Sequence, residues 1–197
     1  LSIKRFSSLL LLKQSFQGLY NSRNIEQIKG QEFDMIVCAG APAVKWLANK
    51  EPQKDKESLK RLMDSLEKVK AETFVLISTI DVYSDPSDVT EEFAIDKSSL
   101  SAYGKHRLEL EEFIHEKFLR SVVIRLPGLF GNGLKKNIIY DYLNNNCLDM
   151  VHQDAVFQFY NIDNLWRDIK VCIEKKIHLI NFATQPVSAK EIVSFAF

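Results

Sequence analysis

Apolar residues fall into two kinds of pattern along this chain. Residues 33–39 (FDMIVCA), 73–79 (TFVLIST) and 121–126 (SVVIRL) are nearly continuous apolar runs. Such runs suit strands buried on both faces, as in a parallel sheet. Between the first two, Leu59, Leu62, Met63, Leu66 and Val69 recur at spacings of three and four within residues 55–70. That paints one stripe on an amphipathic helix. Residues 100–119 predict another helix, with glutamates on its outer side. Strand, helix, strand, helix, strand predicts an α/β architecture: right-handed crossovers and a parallel sheet with helices on both faces.

The flanking segments are shorter. Residues 9–16 predict a helix, 18–20 a short strand, and 24–29 a brief helix capped by Asn21 or Ser22. Downstream, residues 134–146 and 163–174 read as helices, and 155–160 and 177–182 as strands. Ser188 and Glu191 have the spacing of a capping box before a final helix. The expected organisation is a single domain over residues 1–197, with a core of roughly 1–130 and a small mixed lobe of roughly 131–197.

Composition narrows the class. The 197 residues are 46% hydrophobic and 26% charged, ordinary values for a globular protein. Lys plus Arg equals Asp plus Glu at 26 each, so no electrostatic footprint for nucleic acid appears. Cys38, Cys147 and Cys172 are far apart and odd in number, which points to a reducing compartment such as the cytoplasm. The apolar run at residues 9–12 is too short for a secretory core of about 7–15 residues or a membrane span of about 20. His106, His115, His152 and His178 form no metal pair, so no metal site is expected and these side chains read as solvated or incidental. Trp46 and Trp166 read as packing residues.

In a parallel sheet, ligands sit outside the carboxyl ends of the strands. Those ends are Ala39-Gly40, Ser78-Thr79 and Pro127-Gly128, and they should converge on one crevice beneath the charged loop 85–97. Near it, Tyr103 and Arg107 are one helical turn apart and share a helix face. Alone, such a pair usually marks a solvated helix face, and a strand-end threonine most often bonds to backbone. A rival lies at Gly128, Gly131 and Gly133. There a glycine turn follows a strand and precedes a helix, with Asp149 downstream, as a dinucleotide fingerprint spanning about 20 further residues requires. Gly-x-Ser-x-Gly and Walker A patterns are absent.

Taken in order, DMIVCAGAPAV, VLISTIDVY, SAYGKHRLELEEF, RLPGLFGNG, YNIDNLWRDI and INFATQPVSAKEIV resemble the extended short-chain dehydrogenase/reductase family of NAD(P)-dependent sugar epimerases and dehydratases. The resemblance implies a Rossmann-like domain and NAD or NADP as cofactor. It implies Thr79 as the catalytic hydroxyl, Tyr103 as the proton donor or acceptor, and Arg107 where the family has lysine. Ala39, Gly40, Ser78, Tyr103, Arg107 and Pro127 are then expected beside the cofactor. Tyr83, Gly128, Leu129 and Phe130 are expected beside the substrate, a nucleotide-sugar or related carbonyl or alcohol. The expected partners are small molecules, with no nucleic acid or membrane and with a homodimer as the candidate assembly. A free tyrosine has a pKa of about 10, so ionisation near neutrality needs roughly 3 units, or about 4 kcal/mol. One nearby cation supplies roughly 1–3 units. A positively charged oxidised nicotinamide could supply the rest.

The chain departs from the family in two places. Arginine at 107 keeps the charge but is longer and planar, and is not equivalent to an ammonium. No Gly-x-x-Gly-x-x-Gly turn precedes Gly18, so a fragment, a truncated product or a diverged member is expected, its Rossmann-like sheet incomplete at the N-terminus. Strand 33–39 would then expose an apolar edge able to pair or aggregate. The second reading is a catalytically inactive Rossmann-like protein that serves as a binding or interaction module.

Overall fold

The computed structural model describes residues 16–131, 133–134, 137–146 and 152–196. Most of the helix expected at 9–16 lies outside these residues, as do Cys147 and Asp149.

The three apolar runs form parallel strands β1 (Glu32–Cys38), β2 (Lys70–Thr79) and β3 (Ser121–Leu126). Strands β1 and β2 pair in parallel through Cys38 and Leu76, and β2 and β3 through Thr79 and Leu126. Continuing the first register sets Gly40 level with Ser78, so the expected strand ends do come together. A fourth parallel strand lies beyond β3: residues 179–181, expected in the C-terminal lobe, add to the main sheet as β7 (Leu179–Asn181). The order is β1-β2-β3-β7, and among the described residues β1 has only β2 beside it.

Both sheet faces are buried because side chains alternate along each strand. Phe74 and Leu76 of β2 point to one face with Val123. Val75 and Ile77 point to the other with Val122, Ile124 and Leu126. On the first face lie α1 (Lys45–Lys50), α2 (Pro52–Leu66) and α3 (Ala102–Lys117). Leu59, Leu62 and Leu66 of α2 and Leu110 and Ile114 of α3 fill that layer, and Phe74 stacks on Phe118 at 4.4 Å. Pro52 divides α1 from α2: it cannot donate an N–H inside a helix but suits a first turn.

The remaining elements are short. Strand β4 (Gly128–Phe130) pairs in parallel with β6 (Phe159–Asn161), and β5 (Val156–Phe157) pairs antiparallel with β8 (Val187–Ser188). The remaining α-helices among the described residues are α4 (Asn137–Leu143), α5 (Leu165–Glu174) and α6 (Ala189–Ala196). Leu165, Ile169 and Cys172 of α5 cover the second sheet face. The capping box forms: Glu191 N–H donates to Ser188 Oγ at 3.2 Å, and Ser188 N–H donates to Glu191 Oε2 at 2.7 Å. Residues 18–20 are not a strand. Residues 25–28 make a 3-10 turn, and the expected Asn21 bonds to Arg23 N instead of capping it. Trp46 is 68% exposed, against the packing role expected of it, whereas Trp166 joins the second-face core.

One close approach fixes where α3 begins. A Cβ on Gly104 would lie 2.1 Å from the backbone oxygen of Asp81, so only glycine lets α3 meet the 3-10 turn Ile80–Val82. Gly104→Ala should push that turn away from Tyr103 and cost about 2 kcal/mol or more by urea denaturation.

Candidate active site

Thr79 ends β2 and opens the 3-10 turn, its Oγ1 accepting the N–H of Asp81 at 3.2 Å. Its hydroxyl donates to Asp81 Oδ2, also at 3.2 Å. Asp81 Oδ1 in turn receives Lys45 Nζ at 2.5 Å, from the first turn of α1. Tyr103 stands at the start of α3, where Ser101 Oγ accepts the N–H of Gly104 at 3.3 Å. The N–H of Tyr103 donates to Asn49 Oδ1 of α1 at 2.9 Å. Thr79 and Tyr103 are therefore on two segments locked together by the Gly104 contact.

Arg107 is held inside the protein, at 2% exposure. Its Nη1 and Nη2 donate to the two oxygens of Asp55, at 2.5 and 2.8 Å. Nη2 also donates to the Pro42 carbonyl at 2.5 Å, and Nη1 to the Tyr103 carbonyl at 3.2 Å. Its guanidinium lies over the Tyr103 ring, 3.8 Å from the centroid. The one nitrogen left without a partner, Nε, is buried. His106, expected to be solvated, is 7% exposed, and its Nδ1 shares Asp55 Oδ2 at 2.8 Å. Helix geometry leaves it no other course, because the face of α3 next to Arg107 is packed against α2.

The electrostatics follow from this clamp. Burial works against the charge of Asp55, but hydrogen bonds from Arg107 and His106 outweigh it and hold the carboxyl below its ordinary value. Burial raises the Tyr103 phenol above its ordinary value; Arg107 pulls it down, while Asp81 and Asp55 push it up. Tyr103 is thus a protonated donor in the free protein.

A second buried network lies one turn along α3. Ser78 Oγ donates to Glu111 Oε1, and Arg125 donates to Glu111 through Nε and Nη2, the latter at 2.6 Å. Arg125 Nη1 also donates to the Tyr83 hydroxyl at 2.6 Å. That hydroxyl donates to the Thr90 carbonyl at 3.1 Å, and Asn181 Nδ2 donates to it at 3.1 Å. Tyr83 is therefore turned into the protein at 4% exposure, and the loop after it is tied to β7, where Glu91 Oε1 accepts the N–H of Asn181 at 2.6 Å. Glu111, expected on the outer side of its helix, is 2% exposed.

The other expected positions line the same end of the sheet. Ala39 and Gly40 follow β1, and buried Pro127 follows β3. Gly128 is pressed against β6: a Cβ there would lie 2.9 Å from the Gln158 oxygen. The Leu129 carbonyl accepts from Asn137 Nδ2 at 2.5 Å, and Phe130 is 37% exposed. Lys45, Asp55, Asp81, Glu111 and Arg125 escaped the sequence reading. Two of them carried a signal. Arginine inside a strand buried on both faces demands a counterion, and Glu111 extends the spacing of 103 and 107 by another turn.

No protein-family model and no curated protein matches the chain. Solved structures do. A dTDP-4-dehydrorhamnose reductase from Clostridium acetobutylicum superposes with a TM-score of 0.67 at 21% identity, over 83% of this chain and 62% of that one. A UDP-glucuronic acid 4-epimerase from Bacillus cereus, in complex with UDP-glucuronic acid and NAD, gives 0.65 at 21% identity, over 92% and 62%. A UDP-N-acetylglucosamine 4-epimerase from Methanobrevibacter ruminantium, in complex with UDP-N-acetylmuramic acid, gives 0.67 at 15%, over 87% and 61%. The chain thus spans a little under two thirds of each of them.

Removing the counterion of a buried arginine costs about 3–5 kcal/mol, so Asp55→Ala should lower stability by that amount in chemical denaturation. Because folding depresses the Asp55 carboxyl, its stabilisation is fully present above about pH 4, where the unfolded carboxyl titrates, and is lost as pH falls through the folded value. Asp55→Asn should flatten that acid limb of the stability profile. In fold, the chain groups with the Rossmann-like nucleotide-sugar epimerases and reductases whose motifs its sequence resembles.

Proposed function

We propose that this chain is the catalytic portion of an NAD(P)-dependent oxidoreductase or epimerase acting on a nucleotide-sugar or a related carbonyl or alcohol. The observation that carries the reading is the close approach of the turn after Thr79, at the carboxyl end of β2, to the first turn of α3 that bears Tyr103, a contact that admits only glycine at 104. The solved structures of the same fold support it, one of them holding a UDP-sugar and NAD.

Tyr103 would pass a proton to or from the reacting oxygen of the sugar, and Thr79 would hydrogen-bond the same oxygen. Ala39, Gly40, Ser78 and Pro127 at the strand ends would lie beside the nicotinamide and its ribose, and Gly128, Leu129 and Phe130 beside the sugar. The dinucleotide supplies hydride transfer when bound. Arg107 fits a ribose contact poorly, since four of its hydrogen bonds end on protein oxygens. Its role in this reading is to hold the Tyr103 ring and to oppose, in part, the desolvation of the phenol.

The engagement of Arg107 also favours a second reading, a Rossmann-like protein without turnover that serves as a binding or interaction module. Calorimetry with NAD and NADP separates the two. Binding in the micromolar to millimolar range, with Tyr103→Phe lowering reduction of NAD by UDP-sugars at least about 100-fold, fits the enzyme. Absence of binding to either dinucleotide overturns it in favour of the second reading.

A further inference from the structure

The proposed site needs a positive charge near its tyrosine, and the cation at the expected position is spent. Arg107 is bonded to Asp55, Pro42 and Tyr103 and is shut away from solvent. A different cation stands against the turn that follows β2. Lys45 and Asn49 are four residues apart on α1 and share one face of that helix. Asn49 holds the N–H of Tyr103, so the same face brings Lys45 over the turn after Thr79. There Lys45 Nζ meets Asp81 Oδ1 at 2.5 Å, and Asp81 Oδ2 accepts the Thr79 hydroxyl at 3.2 Å.

The order of these contacts has a chemical consequence. A threonine hydroxyl has one proton to give. To bond a substrate oxygen, Thr79 must release Asp81, and an unpaired carboxylate would compete strongly for that proton. Lys45 takes up the charge of Asp81 at shorter range and leaves Thr79 the longer, weaker bond. The lysine side chain is 55% exposed and that of Asp81 is 32% exposed, so both can adjust when a ligand arrives.

We infer that Lys45 is the positioning cation of this site, acting through Asp81 to release the Thr79 hydroxyl and to set the field at Tyr103, with Arg107 as a buried strut. The use of this device in turnover rests on the proposed function; the coupling itself does not. The charged or titratable groups around the phenol are Asp81 from the turn, Asp55 from α2, and Arg107 with His106 from α3. Lys45 offsets the field of the first of these from the position in which Asp81 holds it.

The test uses the full chain without ligands. Fluorinated tyrosine, whose phenol ionises at lower pH than tyrosine, replaces all tyrosines, and Tyr103→Phe assigns the 19F resonance. Lys45→Met should lower the ionisation constant of Tyr103 about two- to tenfold, and Asp81→Asn should raise it by a similar factor. In the Asp81→Asn background the ammonium is no longer held at the turn, so Lys45→Met should shift the phenol less. Lys45→Arg should behave as the parent chain, which separates loss of charge from loss of structure. No shift with Lys45→Met, or the same shift with and without Asp81, overturns the inference. Failure of the chain to bind NAD or NADP overturns the proposed reaction but leaves this coupling standing.

Discussion

Three polar side chains, Tyr103, Arg107 and Glu111, lie one turn apart on α3 and are all buried. A helix that sinks such a stripe into its core must satisfy each member or unfold. Asp55 answers Arg107, Arg125 answers Glu111, and the Arg107 guanidinium covers the Tyr103 ring. Each partner comes from a different element: α2, β3 and α3 itself. The stripe therefore ties the first helical layer to the centre of the sheet. Breaking any one pair would leave a charge in the interior, a larger loss than its net contribution while intact.

The same stripe orders the site. Ser78 donates to Glu111 and so is drawn inward, while its neighbour Thr79 faces the turn that meets Gly104. Tyr83 is drawn inward by Arg125, and the following loop comes with it through Thr90 and Glu91. What remains toward solvent is a short series, Lys45, Asp81 and Thr79, next to the buried Tyr103. The free protein thus separates two jobs that a single lysine could perform together. Arg107 stabilises, and Lys45 is a cation open to a ligand.

Much of this architecture was legible in the residues. The strand runs at 33–39, 73–79 and 121–126 became β1, β2 and β3, with β2 starting three residues earlier at Lys70, because a parallel strand buried on both faces admits little but apolar side chains. The Leu59, Leu62 and Leu66 stripe became the buried face of α2. The Ser188–Glu191 capping box formed as its spacing implied. Short polar stretches were less legible. Residues 18–20 made no strand, because three residues are too few to show alternation, whereas the helix expected at 134–146 forms over Asn137–Leu143.

The sequence by itself determined the class of fold, the strand ends around which any ligand would gather, and the one-turn spacing of Tyr103 and Arg107. Those follow from local rules: alternation, helical period and the chemistry of turns. Only the tertiary structure decided where the charges go. Asp55 lies 52 positions before Arg107, and Lys45 36 before Asp81. Ion pairs of that separation leave no periodic trace, since their geometry depends on how helices pack over the sheet. Position 107 therefore looked like a cofactor contact in the chain, and in the fold its guanidinium is fastened to Asp55.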